Sequence, residues 1–475
     1  VKQPTHEQLA IVDFIRSRKE NLQIDAKAGT GKTTTLVDIA EAYPLPTIAI
    51  AFNKKNAEDL GKRMPSHVES KTQHSVGFAA TKKYLTTKCT VNFNKKHQII
   101  KEYIEGLGAV DKSEAYNSFS DIRKAIDFGY SSGWIPETGR FPVRGLIEDH
   151  EFEASLEFEP SNLERKIIRV CMTKCIEEGL KGNIDFDDMV YLPALWPMTL
   201  PQYPHTMVDE AQDISPLGHR LIDKMVGKNR LTAVGDPCQA IYAFRGADET
   251  SMSTMRERFD MSTLPLNIAF RCPREVIRNV HWRAPEMTWP EWAIDGEVRT
   301  MGKWDSSLVP DGAYLICRNN APIFRMAMRF IRDGRKPKVL GNDITAGIVK
   351  SLRNISKDDR LPSEQALELF ETEARKLRVK YKNSGSINDK IECIENFLID
   401  QPTLGLAILR AKSIMDLDGN VQMMTGHRSK GGEAKEVFFL DQHLVKDEGQ
   451  DRNLRYVICT RAQERLTYIT TEEME

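Results

Sequence analysis

Nothing in these 475 residues approaches the roughly 20 consecutive apolar positions needed to cross a bilayer, so no membrane partner is expected. The opening VKQPTHEQLA has no apolar signal core. Cysteine is scarce and scattered, at 89, 171, 175, 238, 272, 317, 393 and 459, and only Cys171 and Cys175 lie close together. They stand one helical turn apart with no second pair nearby, which argues against a zinc site. Reduced thiols in a cytoplasmic or nuclear setting are expected. Net charge is also nearly absent, with 67 basic against 68 acidic residues. Any polyanion must therefore be met by local basic or aromatic surface, not by a global field. Internal repeats and long low-complexity segments are lacking as well.

What is present is length enough for several domains and a repeated alternation of short apolar runs with amphipathic helical patterns, the signature of βαβ units. The runs at 21–24, 47–52, 205–208, 231–234, 313–317, 421–424, 436–440 and 466–470 predict strands. Two regions break this rhythm by turning helical and charged: 80–182, with lysines at 82, 83, 88, 95, 96 and 101, and 346–414. Both read as insertions. The expected division is a first α/β core over 1–79 and 183–264, and a second over 265–345 and 415–475.

AKAGTGKTTT follows the first strand and opens a helix, fitting G-x-x-x-x-G-K-[ST] except for Ala26 at the first glycine position. In such a loop Gly29 and Gly31 let backbone N–H groups wrap phosphate oxygens at a positive helix end. Lys32 reaches the terminal phosphates and Thr33 offers its hydroxyl to Mg²⁺. HTMVDEAQD sets two acids just past a buried strand, with Asp209 suited to the hydrated metal and Glu210 to polarising an attacking water. Alone, such a pair is common surface punctuation; with a phosphate loop upstream it becomes a candidate site. Arg271 in LNIAFRCP and Arg461 in YVICTRA could neutralise charge on a γ-phosphate, although lone arginines usually serve surfaces and salt bridges.

With these segments placed, the chain resembles superfamily 1 DNA helicases of the UvrD/Rep/PcrA type. PTHEQ is similar to their adenine-reading Q motif, and AGTGKT and VDEAQD to their Walker pair. AFNKKNAEDL, SKTQHS, VGDPCQAIYAFRGA, LNIAFR, MMTGHRSKGGE and YVICTRA follow in the family's order, with IDFDDM and ICRNNAP in their usual places. Details of FNK…A, KTQHS and DEAQD lean towards the F-box DNA helicase branch and its viral or bacterial relatives. The resemblance implies two RecA-like parallel-sheet domains of the P-loop NTPase class with an ATP cleft between them, each carrying a mainly helical insertion.

It also implies roles. ATP and Mg²⁺ would be held by Gln8, Ala26, Lys27, Ala28, Gly29, Thr30, Gly31, Lys32, Thr33, Thr34, Phe270 and Glu433, with Thr33 and Asp209 on the metal. Gln239 would sense the γ-phosphate, and Arg271 and Arg461 would be the two arginine fingers. Phe270 stands where the family stacks a tyrosine on adenine. Single-stranded DNA would meet Phe52, Asn53, His74, Tyr242, Phe244, Arg245 and His427, rings stacking on bases whatever their identity.

Three departures stand out. Where the last motif opens with two acids this chain has Gln450 and Asp451, which puts the salt bridge of the first acid in question. KVLGND keeps only Gly341 of a Gly-Gly segment. The second insertion is much shorter than in the larger bacterial enzymes. Only QERLTYITTEEME follows the last motif, so a nuclease fusion is not expected.

The expected activity is ATP-driven 3′–5′ translocation on single-stranded DNA with duplex unwinding. Single-stranded DNA and junctions of single- and double-stranded DNA would be its substrates, and replication or recombination proteins its companions. A translocase that strips proteins such as recombinase filaments, and a nucleotide-dependent binding switch with vestigial hydrolysis, are the alternatives.

Overall fold

A computed structural model describes residues 3–85, 87–242 and 250–474, the side chains of 342–344 and 415 excepted. The chain divides into two compact units, one of residues up to Lys27 with Gly31–Leu266, the other of Ala28–Thr30 with Asn267 onward.

The first unit holds strands β1 (Leu22–Ala26), β2 (Thr47–Ala51), β3 (Val68–Thr72), β4 (Thr90–Val91), β5 (Asn183–Ile184), β6 (His205–Val208), β7 (Arg230–Gly235) and β8 (Ser262–Leu266). Six of them form one parallel sheet in the order β3-β2-β6-β7-β1-β8. A parallel sheet needs crossover helices on its faces, so its inner strands are buried on both sides and read as unbroken apolar runs. β2, β6 and β7 are buried at every position. The edges differ. β3 is the polar run VESKT and nowhere fully buried, and β8 carries Pro265, which an edge strand tolerates because it need not donate a ladder hydrogen bond there.

The second unit repeats the plan with β9 (Glu297–Thr300), β10 (Tyr314–Cys317), β11 (Pro337–Val339), β12 (Val421–Thr425), β13 (Ala434–Leu440) and β14 (Ala462–Ile469). All pair in parallel, in the order β11-β12-β10-β13-β14-β9. The eight expected strands are the eight inner strands of the two sheets. The four edge strands were not anticipated, because three are half-solvated and β11 is only three residues long, so none carries the apolar run on which the expectation rested.

Between β3 and β6 the chain is mainly helical, and a short parallel ladder pairs β4 with β5. Two of the lysines that mark this region as charged, Lys95 and Lys96 at the start of the helix Lys95–Glu105, are fully buried. Between β11 and β12 run four helices, Asn342–Ile355, Ser363–Lys380, Gly385–Asp400 and Leu404–Met415. Asp389 ties them to the sheet unit, its carboxylate accepting from the backbone N–H groups of Asn320 and Ala321 at 2.9 Å and capping the helix that follows β10. Among the described residues no helix is long and apolar enough to cross a membrane.

Candidate functional site

The phosphate-loop candidate leaves β1 at buried Ala26 and Lys27 and enters the helix Lys32–Ala42. Gly29 (φ 74°) and Gly31 (φ 83°) both adopt the left-handed region that favours glycine. Gly31 is the N-cap residue, so Lys32, Thr33 and Thr34 form the first turn, where free N–H groups and the helix dipole favour an anion. Thr34 receives a hydrogen bond from Arg63 at 3.2 Å. Gln8 caps its own helix, accepting from the Thr5 N–H at 2.9 Å, while its amide donates to Thr35 Oγ1 at 3.3 Å.

Lys32 Nζ lies 3.0 Å from Glu210 Oε2. Burial works against the lysine's charge, but Glu210, Asp236 and Asp209 together outweigh it and hold the ammonium above its usual range. Burial and the neighbouring Glu210 push the Asp209 carboxyl up to about 7, against the pull of Lys32. Glu210 occupies the left-handed region at φ 52°, a strained setting for a non-glycine residue. Asp209 and Thr33 suit a magnesium ion, which takes one or two protein oxygens and completes its shell with phosphates and water. Among the described residues no group of three or more His, Cys, Asp or Glu side chains could cage a metal alone.

Two residues with no assigned role in the sequence reading join this group to Gln239. Gln212 donates to Glu210 Oε2 at 2.6 Å and accepts from the Asp236 N–H at 3.0 Å. Asp236, fully buried, accepts from Gln239 Nε2 at 2.7 Å and from the Cys238 N–H at 3.0 Å. The signal for both was on view, in DEAQD and GDPCQ, but not what each would touch. Cys238, given no role, accepts a hydrogen bond from Lys27 Nζ at 3.7 Å.

The expected nucleic-acid residues form two ring pairs in the first unit. Phe52 stacks on Tyr242 with centroids 5.9 Å apart and planes within 9°. Neither is core: Phe52 is exposed and Tyr242 half-buried. Asn53, beside Phe52, caps the helix Lys54–Gly61 by accepting from the Asn56 N–H at 2.8 Å. His74 stacks on Phe186 at 3.8 Å and 18°. Phe186 is 52 % exposed, a ring on offer that the sequence showed only as part of IDFDDM. Burial lowers the His74 pKa, with Asp187 pulling the other way. Phe244 and Arg245 lie outside the described residues.

In the second unit Arg271 is ion-paired with Glu433 at 2.6 Å, and Gln463 donates to the other Glu433 oxygen at 2.8 Å. Arg461 is buried, donating to the carbonyls of Val457 (2.9 Å) and Gly432 (3.1 Å) and to Thr460 Oγ1 (3.1 Å). Phe270 stacks on Trp292 at 6.2 Å and 16°, a partner the sequence did not reveal. His427 sits half-buried on the short helix Gly426–Ser429 after β12. Asp451, the second acid of the departing motif, pairs with Arg318 at 2.9 Å, so one acidic bridge is present there.

The UvrD/REP helicase N-terminal domain matches residues 5–260, and the UvrD-like helicase C-terminal domain matches 420–469. The chain is 31% identical to F-box DNA helicase 1 of Gallus gallus over 52% of its own length and 24% of that protein's. It is 24% identical to F-box DNA helicase protein 1 of Schizosaccharomyces pombe over 97% of its length and 57% of the relative's. Against the ATP-dependent DNA helicase PcrA of Staphylococcus epidermidis, identity is 23% over 58% of the chain and 40% of the relative. The chain thus spans little more than half, or less, of these curated relatives.

Proposed function

This chain belongs to the UvrD/REP helicase family, with its RecA-like P-loop fold, and from that premise we propose that it is an ATP-driven motor moving 3′ to 5′ on single-stranded DNA and opening duplex ahead of it. The observation that carries the reading is the Lys32–Glu210 pair, joined through Gln212 and Asp236 to Gln239.

In this mechanism the nucleotide's phosphates lie along residues 26–34, with Gln8 and Phe270 on its base and Glu433 on its ribose. Lys32 exchanges Glu210 for phosphate oxygens, and the released Glu210, still held by Gln212, orients the attacking water. Magnesium, held by Thr33 and Asp209, supplies charge neutralisation when bound. Arg271 gives up Glu433 to meet the charge that develops on the γ-phosphate, and Arg461 adds a second cation. Gln239 reads the γ-phosphate from its tether on Asp236. Tyr242 follows three residues later and stacks on Phe52, so a shift at one end of the segment reaches the other. Phe52, Asn53, His74, Phe186, Tyr242, Phe244, Arg245 and His427 hold the strand, bases on rings and phosphates on polar groups. Junctions of single- and double-stranded DNA are the preferred substrate, and replication or recombination proteins the working partners.

The test is ATP turnover with and without single-stranded DNA, paired with strand displacement from duplexes bearing 3′ or 5′ tails. The expected result is DNA-stimulated turnover and displacement from 3′ tails. Glu210→Gln should keep ATP binding and lose turnover by on the order of 10²-fold or more. Displacement from 5′ tails overturns the polarity, and turnover indifferent to DNA overturns the motor.

A further inference from the structure

Phe186 lies in a turn built almost entirely of carboxylates, and the first insertion grips every one of them. Asp185 and Asp188 close the turn on themselves: the Asp185 N–H donates to Asp188 Oδ2 at 2.7 Å, and the Asp188 N–H to Asp185 Oδ1 at 3.0 Å. Lys95, fully buried, is ion-paired with Asp188 and lies 3.5 Å from Asp185 Oδ2, while donating to the Cys175 carbonyl at 3.1 Å. Tyr130 adds a hydrogen bond to Asp188 at 2.9 Å. Lys96, 1% exposed, is ion-paired with Asp187 and, at 2.8 Å, with Asp127, and its ammonium lies 4.1 Å from the Tyr130 ring centroid.

Burying two ammonium groups costs several kcal/mol of lost hydration, and apolar side chains would fill the same space as well or better. What the charges add is direction. They fix three carboxylates around one residue, and that residue's ring is left half in solvent, stacked on His74.

We propose that Lys96, backed by Lys95, is a positioning residue for the nucleic-acid contact: it anchors Asp187 and thereby holds the Phe186–His74 pair in its base-accepting arrangement. The anchor comes from the helix Lys95–Glu105, so the first insertion sets the geometry of a platform that the strand touches elsewhere. This inference rests on reading His74 and Phe186 as a base platform.

The experiment follows ATP turnover of the whole chain against the concentration of an oligo-dT strand, for Lys96→Met, Lys96→Arg, Phe186→Ala and the double variant Lys96→Met/Phe186→Ala. Lys96→Met should raise the half-saturating oligonucleotide about tenfold, the scale of one lost base stack, with basal and saturated turnover within about twofold of the parent. Lys96→Arg should restore most of the loss. The double variant should be no worse than Phe186→Ala, because two residues acting through one contact are not additive. Asp187→Asn breaks the same pair from its exposed side and serves if Lys96→Met does not fold. Unchanged saturation in Lys96→Met or Asp187→Asn overturns the proposal, as do multiplied losses in the double variant or an equal fall in basal turnover. If Phe186→Ala itself saturates like the parent, the platform reading fails and takes the proposal with it. A loss in Phe186→Ala alone overturns only the proposal.

Discussion

Two lysine–carboxylate groups in the first unit use the same chemistry for opposite ends. Lys32 meets Glu210 through a single 3.0 Å contact with both side chains partly open to solvent, 14% and 24%. Lys95 meets Asp188 with both side chains at 0% exposure, further held by Tyr130 and a backbone carbonyl. The first lysine stands on the opening turn of a helix behind two left-handed glycines, with its partner partly open to water. The second is sealed among helices, and its charge can go nowhere. A pair that can exchange partners suits turnover; a pair that cannot suits shape.

The largest expected effect separates the two by stability. Lys95→Met leaves Asp188 and Asp185 buried without their cation and should cost about 3–5 kcal/mol in a urea melt. Lys32→Met should stay within about 1 kcal/mol of the parent by the same measure, since Glu210 is open to water. A large loss for Lys32→Met would erase the distinction. Turnover should order them the other way: Lys32→Met loses on the order of 10²–10³-fold in ATP hydrolysis, whereas any folded Lys95 variant retains basal activity.

A smaller effect tests another sealed group. His205, buried in β6, donates to or accepts from Thr232 at 2.9 Å. Burial, with Arg230 nearby, lowers its pKa from 6.5 to about 3. Its neutral ring is fully compatible with folding above pH 6.5. Below that value the unfolded chain takes up a proton that the folded one refuses, so stability falls as pH drops from 6.5 towards 3. Between pH 6.5 and 5 this group alone removes about 2 kcal/mol. Urea melts at the two pH values should show it, and His205→Gln should flatten the dependence.

The smallest effect sits on an exposed group. Asn53→Asp keeps an N-cap acceptor and should change stability by less than about 0.5 kcal/mol. It places a negative charge beside Phe52, and oligonucleotide affinity should fall severalfold, more so at low salt. Unchanged affinity would remove Asn53 from the contact surface.

Much of this was legible in the sequence, for reasons that also mark its limit. The inner strands announced themselves because burial on two faces demands unbroken apolar runs. Val68–Thr72 and Ser262–Leu266 did not, being half in water, the one polar and the other broken by Pro265. The glycine turn ahead of the helix Lys32–Ala42 was legible because Gly29 and Gly31 mark it from neighbouring positions. Gln212 and Asp236 were not, because each matters through a contact with a residue far along the chain.

By itself the sequence determined the inner strands of the two parallel sheets and the helical stretches between strands, since those depend on local pattern. Only the tertiary structure decided which charges are sealed from water. Lys32 and Lys95 both open a helix, and although the glycines before Lys32 set it apart, nothing in the sequence around Lys95 shows that its charge is sealed. The difference is the water each retains, and that is set by what the rest of the fold packs around it.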